Sequence, residues 1–202
     1  MQYIQRGRQY TFDGFEVTKF NSKAFDAAKK FAENADSKPL ALFGGTATGK
    51  THLLYAVKNA IEQNSPDLHV ILTTTADMVS SLTNIISNSG SAEQFREKYL
   101  QADVLLVDDI QELAGKEKTQ DELILLFNMF YESGRRFMMT SSQKESHFGI
   151  KARLLIRSFD GFYCNGVLYI PLPHHAGTSD YIEITIDEFD KEFLRFCEEY
   201  QE

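Results

Sequence analysis

Eight consecutive residues, Gly44-Gly45-Thr46-Ala47-Thr48-Gly49-Lys50-Thr51, fit the spacing G-x-x-x-x-G-K-[ST]. Each residue type has a chemical reason to stand there. The glycines permit backbone conformations that turn successive N–H groups inward, and those groups form a cradle for an anion. A helix beginning near Gly49 adds the positive end of its dipole. Lys50 supplies a point charge for the β and γ phosphates of a nucleoside triphosphate, and the Thr51 hydroxyl is a hard oxygen ligand suited to Mg²⁺. A second element is needed on the metal side. Val104-Leu105-Leu106-Val107-Asp108-Asp109 offers it, four apolar residues followed by two carboxylates. The first acid, Asp108, is expected to orient Mg²⁺, and the second, Asp109, to polarise an attacking water. Further along, Phe137 to Ser142 ends in Thr140, Ser141 and Ser142, which puts a hydroxyl within reach of a γ phosphate.

The elements that must position these groups follow from periodicity. Helices are expected over Asn21 to Ala35, Thr51 to Gln63, Ala76 to Ile86, Ala92 to Leu100 and Asp121 to Glu132, with apolar residues at helical spacing. Short apolar runs at Pro39 to Phe43, His69 to Leu72, Val104 to Val107, Arg136 to Thr140 and Val167 to Ile170 read as strands of one sheet. Strands alternating with helices, most of them apolar throughout, predict an α/β fold with a parallel sheet covered on both faces. The phosphate loop then follows a strand and opens a helix. The paired aspartates emerge at the C-terminal end of a strand, where ligands bind in open α/β sheets.

The 202 residues suit one domain with a small appendage, and 43% apolar with 25% charged residues is ordinary for a globular chain. No stretch approaches the roughly 20 apolar residues that span a bilayer. Met1 to Arg8 is polar and lacks the apolar run of a secretory signal. With Cys164 and Cys197 as lone thiols, this points to a reducing, cytoplasmic setting. Between Gly177 and Glu202 nine acids face only Lys191 and Arg195, so that segment carries −7 of the net −8. Such a balance speaks against a face for duplex DNA and for a solvated or protein-contacting surface. Tyr181 to Ile186 alternates as a strand, and Asp187 can cap a last helix carrying Phe189, Phe193, Phe196 and Tyr200. These aromatics suit packing on the sheet edge. Neither His174-His175 nor Cys164 has companions at the spacing that zinc binding or nucleophilic catalysis requires.

Four segments together resemble one family. They are Tyr10-Thr11-Phe12-Asp13-Gly14-Phe15; Gly44-Gly45 with Gly49-Lys50-Thr51-His52-Leu53-Leu54; Phe95-Arg96-Glu97-Lys98-Tyr99; and the run from Asp108 to Gln120. From about Gln9 to Pro173 the chain is similar to the AAA+ ATPase module of the bacterial replication initiator DnaA. The resemblance implies a P-loop NTPase fold that binds ATP or ADP with Mg²⁺, hydrolyses ATP slowly and serves replication initiation or its regulation. It places the base contact at Phe15 to Val17 and the phosphate and metal contacts at Gly44 to Thr51, with His52 adjoining. It makes Asp108 and Asp109 the metal and water carboxylates.

It also implies a subunit-stacking insertion between Ala76 and Leu100, and a contact of Lys118 with single-stranded DNA. An arginine finger reaching into a neighbouring subunit is expected at Arg157, with Arg153 as second choice. Expected partners are the initiator, the replicative helicase or further copies of the chain. Duplex DNA and membranes are not expected. The family's Thr-Ser-Asp becomes Thr140-Ser141-Ser142 here, and its Arg-Leu-Arg-Ser-Arg-Phe becomes Arg153-Leu154-Leu155-Ile156-Arg157-Ser158-Phe159. The expected organisation is an arm over 1–9, an ATPase module over 10–173, and an acidic appendage over 174–202 where the family's helical lid would begin. Two other classes fit the same motifs: a helicase loader of the DnaC type, and an interaction module that binds nucleotide without turnover.

Overall fold

The computed structural model describes residues 10–35, 39–142, 162–164 and 167–169. Arg153, Arg157, His174, His175, the side chain of Cys164 and the acidic segment from Gly177 lie outside the described residues.

Four parallel strands make the central sheet, in the order β1-β4-β3-β2: β1 is Leu40–Phe43, β2 Val70–Thr74, β3 Val104–Asp108 and β4 Arg136–Ser141. Helix α1 is Ser22–Glu33, α2 Lys50–Asn64, α3 Thr75–Ser87, α4 Ala92–Leu100 and α5 Glu117–Glu132. A short 3-10 turn, Ile110–Leu113, leaves β3.

The apolar runs are explained by two cores, one on each face. Along β3, Val104 and Leu106 point to the side covered by α1 and α2, while Leu105 and Val107 point to the side covered by α3, α4 and α5. Successive strand residues face opposite ways, so a strand buried on both faces must be apolar at every position. The α1 side takes small residues: Ala24, Ala28 and Ala32 let α1 lie close to Leu53, Val57 and Ile61 of α2. On the opposite side Phe95, Phe127, Phe130 and Phe137 fill the space, with Phe127 and Phe137 stacked at 4.7 Å between ring centres.

Residues 167 to 170 were expected to form the last strand of the sheet, and that expectation is corrected. Val167–Tyr169, strand β6, hydrogen-bonds antiparallel to β5, Phe162–Cys164, in a separate two-stranded ladder, and β6 lies alongside β1. The signal was in the chain: Asn165-Gly166 between two short runs is the dipeptide that favours a tight hairpin. Helix α5 also starts at Glu117 rather than Asp121. Its added turn is held by buried Gln120, whose Nε2 donates to the Leu113 carbonyl at 2.7 Å.

Candidate nucleotide site

The residues singled out for phosphate and metal chemistry that fall among the described residues sit at the C-terminal edge of the sheet, whereas Lys118, expected at single-stranded DNA, is on α5. The loop from Gly44 to Gly49 leaves β1, and its first N–H still donates to the Ser141 carbonyl of β4 at 3.2 Å. Ala47 (φ 62°) and Gly49 (φ 92°) both lie in the left-handed region, which turns the backbone so that the loop closes on itself. Helix α2 then begins at Lys50. Its cap, Gly49, offers no side chain to the first-turn N–H groups, and no acid stands in that turn. The orphan donors and the positive end of the helix are therefore left for an external anion.

Lys50 is half-buried and its Nζ donates to the carbonyls of Gly44 (2.8 Å) and Gly45 (2.7 Å). Burial holds its pKa below the ordinary lysine value, while Asp109 and Asp108 act in the raising direction. An ammonium so placed is poorly solvated and faces two carboxylates across the site. Such a cation gains more from an added anion than a surface lysine does.

The metal side converges on Asp108, a buried carboxylate 6% exposed at the end of β3. Its Oδ2 accepts from the Thr51 hydroxyl at 2.9 Å, and its Oδ1 accepts from the Thr140 hydroxyl of β4. Its backbone carbonyl accepts from Thr75 Oγ1 at 3.2 Å. Thr51 and Asp108, 57 residues apart in the chain, thus present two adjacent hard oxygens. That donor set suits a cation such as Mg²⁺, which keeps several waters and takes few protein ligands. Among the described residues no three His, Cys, Asp or Glu side chains gather as a closed metal cage.

Asp109 lies in the left-handed region (φ 60°, ψ 51°), uncommon for a residue with a side chain. Its N–H donates to Thr140 Oγ1 at 3.2 Å, and its Oδ1 accepts from Gln111 Nε2 at 2.9 Å. Gln111 Oε1 in turn accepts from the Ser142 N–H at 3.0 Å. The sequence reading named Asp109 and Ser142 but not the carboxamide between them. Nothing in the motif marks Gln111, because the link depends on β4 lying next to β3.

The other expected contacts are placed as follows. Phe15 rests on the loop: a Cβ on Gly49 would meet its ring at 2.6 Å. It also stacks on Phe25 at 5.7 Å and meets His52 edge-on at 5.1 Å. His52 Nε2 donates to the Thr11 carbonyl at 2.9 Å, and Asn59 Nδ2 donates to the Tyr10 carbonyl at 2.7 Å. His52 therefore fastens residues 10–15 to α2. Val17 is 49% exposed. Thr46 and Thr48 are exposed in the loop, and the Thr48 hydroxyl donates to the Gly45 carbonyl at 2.9 Å. Lys118 is exposed on the first turn of α5. No helix among the described residues is long and apolar enough to cross a membrane.

A phosphate loop opening a helix beside a strand that ends in paired carboxylates, on a parallel sheet with helices on both faces, defines a nucleoside-triphosphate-binding protein of the P-loop class. Residues 7–164 match the bacterial DnaA ATPase domain, and the chain belongs to that family. The chromosomal replication initiator protein DnaA from a strain of Thermus thermophilus is 39% identical over 137 residues, 67% of this chain and 31% of that protein. The chain thus spans about a third of the length of this curated relative. Domain III of the Thermotoga maritima DnaA superposes with a TM-score of 0.69 and 35% identity, covering 73% of this chain and 63% of that structure. A replication initiator DnaA bound to AMPPCP and single-stranded DNA superposes with a TM-score of 0.66 and 30% identity, covering 74% and 47%.

Proposed function

We propose that the chain binds ATP or ADP with Mg²⁺ through Gly44 to Thr51 and hydrolyses ATP slowly, and that it acts in the initiation of DNA replication or its control. The observation that carries this reading is the bond from Thr51 to Asp108, which brings the phosphate loop and the carboxylates into one site. In this reading the loop N–H groups and Lys50 hold the β and γ phosphates, and Thr51 and Asp108 hold the metal. Bound there, Mg²⁺ neutralises charge on the phosphate oxygens. Asp109 orients a water in line with the γ phosphate, and the Ser142 hydroxyl stands beside that phosphate. Phe15 and Val17 border the base, with His52 behind them.

The wider role rests on kinship. The relative with AMPPCP and single-stranded DNA supports an adenine nucleotide as ligand and single-stranded DNA as a partner, with Lys118 as a contact. Replication proteins, the initiator or the replicative helicase, are the proposed partners in the cytoplasm. Nucleotide-dependent self-association, with Arg157 or Arg153 reaching a neighbouring site, is the proposed working form.

Binding and turnover measured side by side test the enzyme. Saturable Mg²⁺–ATP binding with phosphate release supports it, whereas tight binding with no release selects a nucleotide-dependent interaction module. Sizing the protein in ADP and in ATP tests the assembly. An ATP-specific larger species, lost in Arg157→Ala, is expected. An identical size in both nucleotides contradicts it.

A further inference from the structure

We propose that Gln111 is a positioning residue that locks the Asp109 carboxylate to the end of β4, an inference that rests on the hydrolytic reading above. The carboxamide uses both its ends. Nε2 donates to Asp109 Oδ1 at 2.9 Å, and Oε1 accepts from the Ser142 N–H at 3.0 Å. Exchanging the two ends would set oxygen against carboxylate and NH₂ against N–H, so the orientation is unique. Asp109 is also tied to β4 through its own N–H, which donates to Thr140 Oγ1 at 3.2 Å. Backbone and side chain of one carboxylate are thus both referred to the strand beside β3.

The left-handed backbone of Asp109 makes the link geometrically possible. With φ 60° and ψ 51° the chain reverses into the 3-10 turn, which places the side chain of residue 111 back beside that of residue 109. Oδ1 is engaged by Gln111, so Oδ2 is the oxygen assigned to the attacking water. A shift of Ser142 on meeting a γ phosphate would be transmitted through one rigid amide to the group that orients the water. The residue touches neither phosphate nor water in this account and acts only through Asp109.

Two variants in the full chain test this. Gln111→Leu keeps the bulk and removes both hydrogen bonds. Gln111→Glu keeps the acceptor for Ser142 but sets a second carboxylate against Asp109. Both are expected to lower kcat about 10- to 100-fold, as loss of alignment at a reacting centre does. KM for ATP and affinity for a nonhydrolysable ATP analogue should stay within about twofold. Affinity for ADP with aluminium fluoride, a mimic of the transferring phosphoryl group, should fall by about the same factor as kcat. Turnover within twofold of wild type in both variants overturns the proposal. So does an equal loss of analogue affinity, which would mark Gln111 as structural. If the wild-type protein binds ATP and releases no phosphate, the hydrolytic reading fails and this proposal with it. Wild-type turnover with unaffected variants overturns the proposal alone.

Discussion

The two halves of the site are built from different materials. Gly44 to Gly49 is an exposed or half-buried loop whose function resides in its backbone: positive φ at Ala47 and Gly49, capless first-turn N–H groups, and one lysine folded over its own carbonyls. The opposite half, Asp108, Asp109, Thr140, Gln111 and Ser142, is a set of side chains at the ends of two buried strands, joined by hydrogen bonds across 31 or 32 residues of chain. Backbone conformation can be replaced only by another residue that tolerates it. A side-chain network fails at whichever member is removed. The first half should therefore respond to substitution through folding and affinity, and the second through metal dependence and turnover.

The largest expected effect tests the second half. Asp109→Ala removes the carboxylate proposed to orient water and is expected to lower ATP turnover about 100-fold or more while leaving ATP affinity within about threefold, the range found for loss of a general base. Phosphate-release kinetics beside equilibrium binding check it. A parallel loss of affinity would break the contrast between the halves.

Asp108→Asn comes next. It keeps the shape of the side chain but removes the charge beside Thr51, so Mg²⁺ should no longer strengthen ATP binding. Removing Mg²⁺ with a chelator is expected to weaken ATP binding to the wild-type protein about 10-fold and to change the variant's affinity little. An equal response in both proteins would take the metal away from Asp108.

Gly49→Ala sharpens the first half. The added Cβ meets Phe15 at 2.6 Å, at a φ of 92° that side chains rarely adopt. About 2 kcal/mol of stability should be lost, a fall in Tm of about 4–8 °C for a chain of this size. Thermal unfolding without nucleotide checks this.

The smallest effect separates the two causes of that loss. Phe15→Ala opens space above the loop but leaves φ unchanged. In the Phe15→Ala background Gly49→Ala should therefore cost about 1 kcal/mol less than in the wild type, the part owed to collision rather than to backbone strain. Strict additivity would mean that Phe15 does not press on the loop.

The same contrast explains what could be read from the chain alone. The loop was legible because its chemistry is local: glycine, lysine and threonine at fixed spacing state the backbone conformation and the charge together. Asp108 was legible because an apolar run ending in an acid announces a strand end. Gln111 was not, since its partner Ser142 comes 31 residues later and meets it only because β3 and β4 are neighbours. Nor was the fastening of residues 10–15 by His52 and Asn59, which depends on where the chain crosses α2. Among the described residues, the four central strands and five helices followed from periodicity. The strand near 167–169 was legible as an apolar run, but its antiparallel pairing with Phe162–Cys164 was not expected.

Equilibrium titration of Mg²⁺–ATP into the wild-type protein and into Lys50→Ala tests the central claim most directly, because Lys50 is the one charged residue in the sequence Gly44–Thr51. Saturable binding by the wild type, weakened about 100-fold or more in a variant that remains folded, is the predicted result. Equal affinity in the two proteins would contradict the assignment of the Gly44–Thr51 loop as the nucleotide site.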